Sequence, residues 1–200
     1  MAKIKFTKGE LKRQRDALRQ YERYLPTLQL KKQQLQMEIL HQNTFLEEKK
    51  HSEAKKRHAA EMWAGLFGEP GINIRAWINP GQAVVGRKNI AGVDLPVFER
   101  LEFELPEYDL FAVPLWVDTA IESLKNLFSL RAEVAVAEDG VRILKKELCV
   151  TTQRVNLFEK VKIPEAKEAI RLIKIYLGDQ MSNAVCRSKT AKKKIEDAFL

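Results

Sequence analysis

The sequence predicts a mainly α-helical protein: a long antiparallel two-helix coiled coil with a small β-hairpin insert in its middle. Three observations lead there. Apolar residues recur at heptad spacing in both outer thirds of the chain, which is the pattern of a helix packed on a long partner helix. Glycine (9) and proline (7) are scarce among the 200 residues, which suits long helices. Between the two seams, residues 72–106 change period and carry the turn-forming stretches "NPG" and "GRKNIAG".

The first helix begins at Thr7, where Thr7 and Glu10 form a T-x-x-E capping box. Leu11, Leu18, Leu25, Ile39 and Leu46 follow at multiples of seven, and Tyr21, Leu28 and Leu35 take the companion position. Gln14, Lys32 and Gln42 interrupt this seam; polar residues there fix register at some cost in stability. Pro26 removes one helical hydrogen bond and predicts a kink, but the pattern resumes at once in "TLQLKKQQLQMEIL". A charged helix then continues to about Trp63 and stops at Gly65, Gly68, Pro70 and Gly71. Some 60 helical residues span about 90 Å, more than a globular domain of this size needs.

In the insert, "INIRAWI" and "VDLPVFERLEFEL" alternate apolar and polar residues, giving two to four short strands. Such a unit is too poor in apolar residues to form a core alone. Trp63, Trp77 and Trp116 fall in or beside it and are expected to form the small core that fastens it to the helices, a partner surface being the alternative. The second helical region starts near Pro114, with Leu115, Ile121, Leu124 and Phe128 on one side. Gly140 weakens its middle without ending it. Val141, Leu144, Leu148, Val155 and Phe158 form the second seam. It resumes as Ile163, Ala166, Ile170, Ile173 and Leu177, shifted by one residue beside Pro164, so a helical irregularity is expected there. The implied segments are a first helix over 1–66, an insert with its connections over 67–112 and a second helix over 113–200.

The net charge of +8, from 35 Lys+Arg against 27 Asp+Glu, makes acidic partners plausible without choosing among nucleic acid, an anionic membrane surface and an acidic protein cavity. Antiparallel pairing would bring both termini to one tip. Lys3, Lys5, Lys8, Lys12, Arg13 and Arg15 would then lie near Arg187, Lys189, Lys192, Lys193 and Lys194. That tip reads as a solvated helix end or as a plug for an acidic or polar cavity. Nucleic-acid binding is weakened by the lack of interleaved aromatics and of any reader motif. The two cysteines, Cys149 and Cys186, argue against a disulfide framework and fit a reducing compartment. No apolar h-region opens the chain, and no run approaches the ~20 apolar residues of a membrane span, so a cytoplasmic protein is expected.

Catalytic chemistry finds no support. "GRKNIAG" lacks the lysine that must follow the second glycine of a P-loop, so its glycines read as turn residues supplying positive φ. His41, His51 and His58 have no cysteines in zinc spacing, and Glu47, Glu48 and Glu53 pair with lysines along the helix. No catalytic, cofactor-binding or metal-binding residue is expected.

Three stretches carry a family resemblance: "TKGELKRQRDALRQYERYLPTLQLKKQQL", "GRKNIAGVDLPVFE" and "TTQRVNLFEKVKIPEAKEAIRLI". Together they resemble the D subunit of V-type (A-type) ATP synthases over essentially the whole chain, and "RYLPTLQLKK" is closer to a bacterial branch than to the archaeal one. The third stretch, with Arg154, Val155, Asn156, Ile163 and Pro164, is the most specific. The resemblance implies a non-catalytic central rotor shaft, peripheral to the membrane in the soluble V1/A1 sector. It would stand in the bore of a hexamer of catalytic and non-catalytic subunits. It would also join the F subunit of the stalk and, through the funnel-shaped C subunit, the membrane ring, coupling ATP synthesis or hydrolysis to proton or sodium transport. Direct binding of nucleotide, nucleic acid or membrane is not implied. Candidate bore contacts are Lys8, Lys12, Arg13, Arg15, Arg187, Lys192, Lys193, Lys194, Phe199 and Leu200. In the insert, Arg87, Lys88, Asn89, Ile90 and Val93 are candidates for a stalk-partner or regulatory surface. The competing class is a coiled-coil scaffold or nucleic-acid-binding protein outside any rotary complex.

Overall fold

The computed structural model describes residues 5–62, 65, 77–103 and 114–198. In chain order it contains α1 (Lys8–Glu61), the strands β1 (Pro80–Ile90) and β2 (Val93–Phe103), and α2 (Trp116–Leu157). A π-helical turn (Phe158–Lys162) then leads directly into α3 (Ile163–Ala198). The protein is thus mainly helical, with a long helix on each side of a two-stranded antiparallel hairpin. The chain divides into two compact units, Gln33–Cys149 and Met1–Lys32 with Val150–Leu200.

Thr7 caps α1 as its sequence predicts: its Oγ1 accepts the Glu10 N–H at 3.2 Å and its carbonyl accepts the Leu11 N–H. The Glu10 carboxylate turns away from the cap and accepts Gln14 Nε2 at 2.7 Å, so only half of the capping box is made. The heptad positions Leu11, Leu18, Tyr21, Leu25, Leu28, Leu35, Ile39 and Leu46 form the least exposed stripe of α1. Gln14, Lys32 and Gln42 lie on the same stripe, half-buried. Gln42 solves its polarity as Gln14 does, donating to Glu38 Oε1 one turn back at 2.8 Å. The helix runs unbroken through Pro26, and α2 runs unbroken through Gly140.

In the unit Gln33–Cys149, α1 and α2 run antiparallel. Lys49 Nζ meets Glu133 Oε1 at 2.7 Å, and Lys50 Nζ meets Glu138 Oε1 at 2.5 Å. The hairpin lies lengthwise on them. Leu95 of β2 is buried with Leu35, Ile39 and Leu144, and Ile90, Ala91, Val93 and Leu148 close over that cluster. Toward the open end of the hairpin, Lys125 Nζ lies 5.8 Å from the centre of the Phe103 ring.

The structure corrects three expectations, the first of them in the hairpin. Its strands are long, with 11 residues each, and the stretch "GRKNI" belongs to β1 and is no turn. The turn is confined to Ala91 (φ 52°) and Gly92 (φ 75°), both left-handed as a type I′ connection demands. Asn89 holds it: its Oδ1 accepts the Gly92 N–H at 3.2 Å and its Nδ2 donates to Asp94 Oδ1 at 2.6 Å. Gly86 lies mid-strand, where a Cβ would displace only the end of the exposed Glu99 side chain. Because alanine carries a penalty at positive φ, Ala91→Gly is expected to stabilise the hairpin by about 0.5–1 kcal/mol. A denaturant melt checks this; a destabilised variant would mean that the Ala91 methyl packing outweighs its backbone strain.

The tryptophans are the second correction. Trp77 and Trp116 pack on a separate core of Ile78, Val117, Ala120 and Ile121 at the start of α2, while the strands are fastened by Ile90, Val93 and Leu95. Trp77 is helical instead of extended, and residues 72–76 and Trp63 lie outside the described residues. The third is Leu115, which is 92% exposed and joins no seam.

In the unit of residues 1–32 and 150–200 the pairing is again antiparallel. The Tyr21 and Phe158 rings stack at 5.4 Å, and Phe6 meets Tyr176 at 5.0 Å. Val155, Ala166, Ala169, Ile170 and Ile173 are buried along the seam, and Thr151 is buried with them. The expected irregularity beside Pro164 is the π-helical turn, in which the Ile163 N–H donates to the Phe158 carbonyl five residues back. One inserted residue is what a seam shifted by one requires.

Candidate interaction surfaces

Of the basic residues predicted to meet at one tip, Lys3 lies outside the described residues and the others do not meet. Lys8, Lys12, Arg13 and Arg15 are exposed on the first turns of α1. Phe6, just before that helix, already sits beside Tyr176, so the rest of α3 continues past the end of α1. Every residue from Gly178 to Ala198 is exposed. At 1.5 Å per residue, Arg187 lies roughly 16 Å beyond the Phe6–Tyr176 contact and Lys194 roughly 27 Å beyond it. Pairing the termini instead of the seams hides this overhang. A signal existed: after Leu177 the seam positions fall to Gln180, Ala184 and Ala191, too small or too polar to hold a partner helix.

Among the described residues the overhang has no partner helix, and its surface is mixed. Arg187, Lys189, Lys192, Lys193 and Lys194 are interspersed with Met181, Val185 and Ile195, each more than half exposed. Its polar side chains bond back to their own helix: Ser188 Oγ and Thr190 Oγ1 donate to the Ala184 and Cys186 carbonyls. Lys192 pairs with Glu196 at 3.6 Å. Such exposed contacts add little stability, and the cationic face stays available. Phe199 and Leu200 lie outside the described residues.

The insert candidates split into two groups. Arg87, Lys88 and Asn89 are exposed on β1, whereas Ile90 and Val93 are half-buried against the Leu35–Leu144 cluster and act as anchors. A cavity of about 240 Å3 lies between hairpin and helices, bounded by His41, Phe45, Lys88, Leu95, Phe98 and Gly140 among others. Of the motif residues, Val155 is a buried seam position, Arg154 and Asn156 flank it on the exposed surface, and Ile163 with Pro164 closes the π-helical turn.

Electrostatics is uneventful. Arg171 clamps both Glu168 oxygens, at 2.9 and 2.6 Å, and this hydrogen bonding holds the Glu168 carboxyl below the ordinary carboxylate range. The pair is exposed, so what it contributes is small; that contribution is lost as pH falls through the lowered pKa. Among the described residues no group of three His, Cys, Asp or Glu side chains could hold a metal ion. No helix among them is long and apolar enough to cross a membrane.

The family of ATP synthase D subunits matches residues 10–193. The chain is 45% identical over 192 residues to the V-type ATP synthase D subunit of Borreliella burgdorferi, covering 96% of this chain and 95% of that protein. The protein of the same name from Chlamydia trachomatis is 32% identical over 197 residues, covering 98% and 97%. That of Chlamydia abortus is 34% identical over 198 residues, covering 98% and 95%. Both long helices, the hairpin and most of the overhang fall within the matched span, and the chain belongs to the ATP synthase D-subunit family.

Proposed function

We propose that the chain is the non-catalytic central rotor shaft of a V-type ATP synthase or ATPase, carrying torque between the catalytic hexamer and the ion-translocating membrane ring. The observation that carries this reading is the overhang: an α3 end exposed at every residue from Gly178 to Ala198, basic and studded with isolated apolar side chains, awaiting walls supplied by others. Paired helices that bury a long apolar seam between them can transmit torque. Their faces differ around the axis, so rotation presents a different surface to each catalytic interface in turn and biases its nucleotide state. Lys8, Lys12, Arg13, Arg15, Arg187 and Lys192–Lys194, with Phe199 and Leu200, would be bearing surface, where weak and interchangeable contacts suit turning. Arg87, Lys88 and Asn89 would face the F subunit of the stalk or modulate ATPase activity, and the funnel-shaped C subunit would link the shaft to the ring. The protein would then reside in the soluble V1/A1 sector, peripheral to the membrane.

Affinity capture tests the reading. The tagged chain is expected to bring down the hexamer and the stalk's F subunit, to turn over no ATP alone, and to show no DNA binding with a steep salt dependence. Capture of nucleic acid without the hexamer would move the chain to the scaffold or nucleic-acid class. Replacing Lys192, Lys193 and Lys194 by glutamine is expected to lower coupled ATPase activity at unchanged helix content. Unaltered assembly and coupling would remove the bearing role from this cluster.

A further inference from the structure

We propose that the unit of residues 1–32 and 150–200 contains a compliant joint, formed by Tyr21–Pro26 of α1 and Phe158–Pro164 opposite, in which twist and bending are taken up. The two seams do not match there. On α1 the seam passes through Leu18, Tyr21, Leu25 and Leu28 in steps of three and four, with no insertion. Opposite, it steps from Phe158 to Ile163, a gap of five, before resuming at Ala166, Ile170 and Ile173. One helix therefore carries a residue that its partner does not require.

The backbone is weakest in the same place. Pro164 has no N–H, so the Lys160 carbonyl loses its regular helical donor, and the Ile163 N–H reaches back to Phe158 instead. Pro26 deprives the Glu22 carbonyl of its donor in the same way. One residue on, Thr27 Oγ1 donates to the Tyr24 carbonyl at 2.8 Å, a bond that competes with the regular ladder. No residue of the π-helical turn is buried. The stacked Tyr21 and Phe158 rings mark a common level, and the Glu22–Lys167 pair at 3.7 Å ties the helices nearby. From that level Pro26 lies about 8 Å along α1, and Pro164 about 9 Å the other way along the partner. The two interruptions flank the aromatic stack within roughly 16 Å, so each helix is weakened where the other is regular. Missing hydrogen bonds and thin burial together give low local stability, while the stack keeps the helices in contact. This inference stands on the helix pair alone and does not require the rotor reading.

Hydrogen exchange on the isolated full-length chain tests it, alongside two variants: Pro26→Ala and deletion of Val161, which is 40% exposed. The deletion turns the five-residue step into four and gives two matched heptad seams. In the parent chain, amides of residues 22–29 and 159–167 are expected to exchange about tenfold faster than those of 14–18 and 169–173. Pro26→Ala should slow the first group and the deletion the second, with no fall in melting temperature. Uniform protection across both segments in the parent would overturn the joint. So would a deletion variant that unfolds, because the extra residue would then be a packing requirement, and so would exchange that neither variant slows.

Discussion

Deleting the hairpin, Pro80–Phe103, and closing the gap with a flexible linker is expected to destabilise the unit Gln33–Cys149 by several kcal/mol. Two heptad seams that cover each other would by themselves suggest the opposite, that the helices hold together without the insert. The structure reverses this because Leu95, 4% exposed, completes the cluster around Leu35, Ile39 and Leu144. Each side chain buried there contributes about 1.5–3 kcal/mol relative to exposure, and removing the strands returns all of them partly to water. Leu95→Ala isolates the anchor from the strands and should cost about 2–5 kcal/mol, with Leu144→Ala in the same range. Denaturant melts followed by helix signal measure all three. A deletion as stable as the parent would show the hairpin to be an appendage, free to serve partners only.

Ending the chain at Gly178 is expected to have the opposite profile. Residues 179–198 are exposed throughout, so their removal should lower helix content in proportion to length and leave the melting temperature of the remaining chain nearly unchanged. Function should suffer instead. If the overhang is the part of the shaft gripped by the hexamer, coupled ATPase activity of the reconstituted complex should fall at least about tenfold, equivalent to ~1.4 kcal/mol of lost differential binding. Full coupling by the truncated chain would transfer the torque-bearing contact elsewhere, with the basic first turns of α1 the next candidate.

The helices were legible because heptad spacing is a direct record of which side is covered. Leu11 through Leu46 mark the stripe, and even its polar members, Gln14 and Gln42, lie on it and bond to their own helix. The step from Phe158 to Ile163 marks an irregularity in the sequence itself, since a five-residue gap leaves room for one extra residue. The hairpin was legible as a change of period but not in its bounds. Gly86, Arg87 and Lys88 look like turn chemistry, yet the glycine lies mid-strand and the basic residues are exposed on the same strand. Least legible was what depends on relative length. The small and polar seam positions after Leu177 indicate that the partner helix has ended, but how far the overhang reaches follows only from aligning Phe6 with Tyr176. The anchoring role of Ile90 and Val93 was hidden for the same reason, because it depends on which helix face the hairpin meets.

The central claim is that this chain turns inside a stationary hexamer. Cys149 and Cys186 are both exposed, so they would first be replaced by serine and a single cysteine introduced as Gln82→Cys on the exposed hairpin surface. With the hexamer fixed to a support and a bead attached to that cysteine, addition of ATP should produce continuous rotation in one direction that stops when ATP is removed. A bead that stays fixed relative to the hexamer while ATP is being hydrolysed would contradict the account.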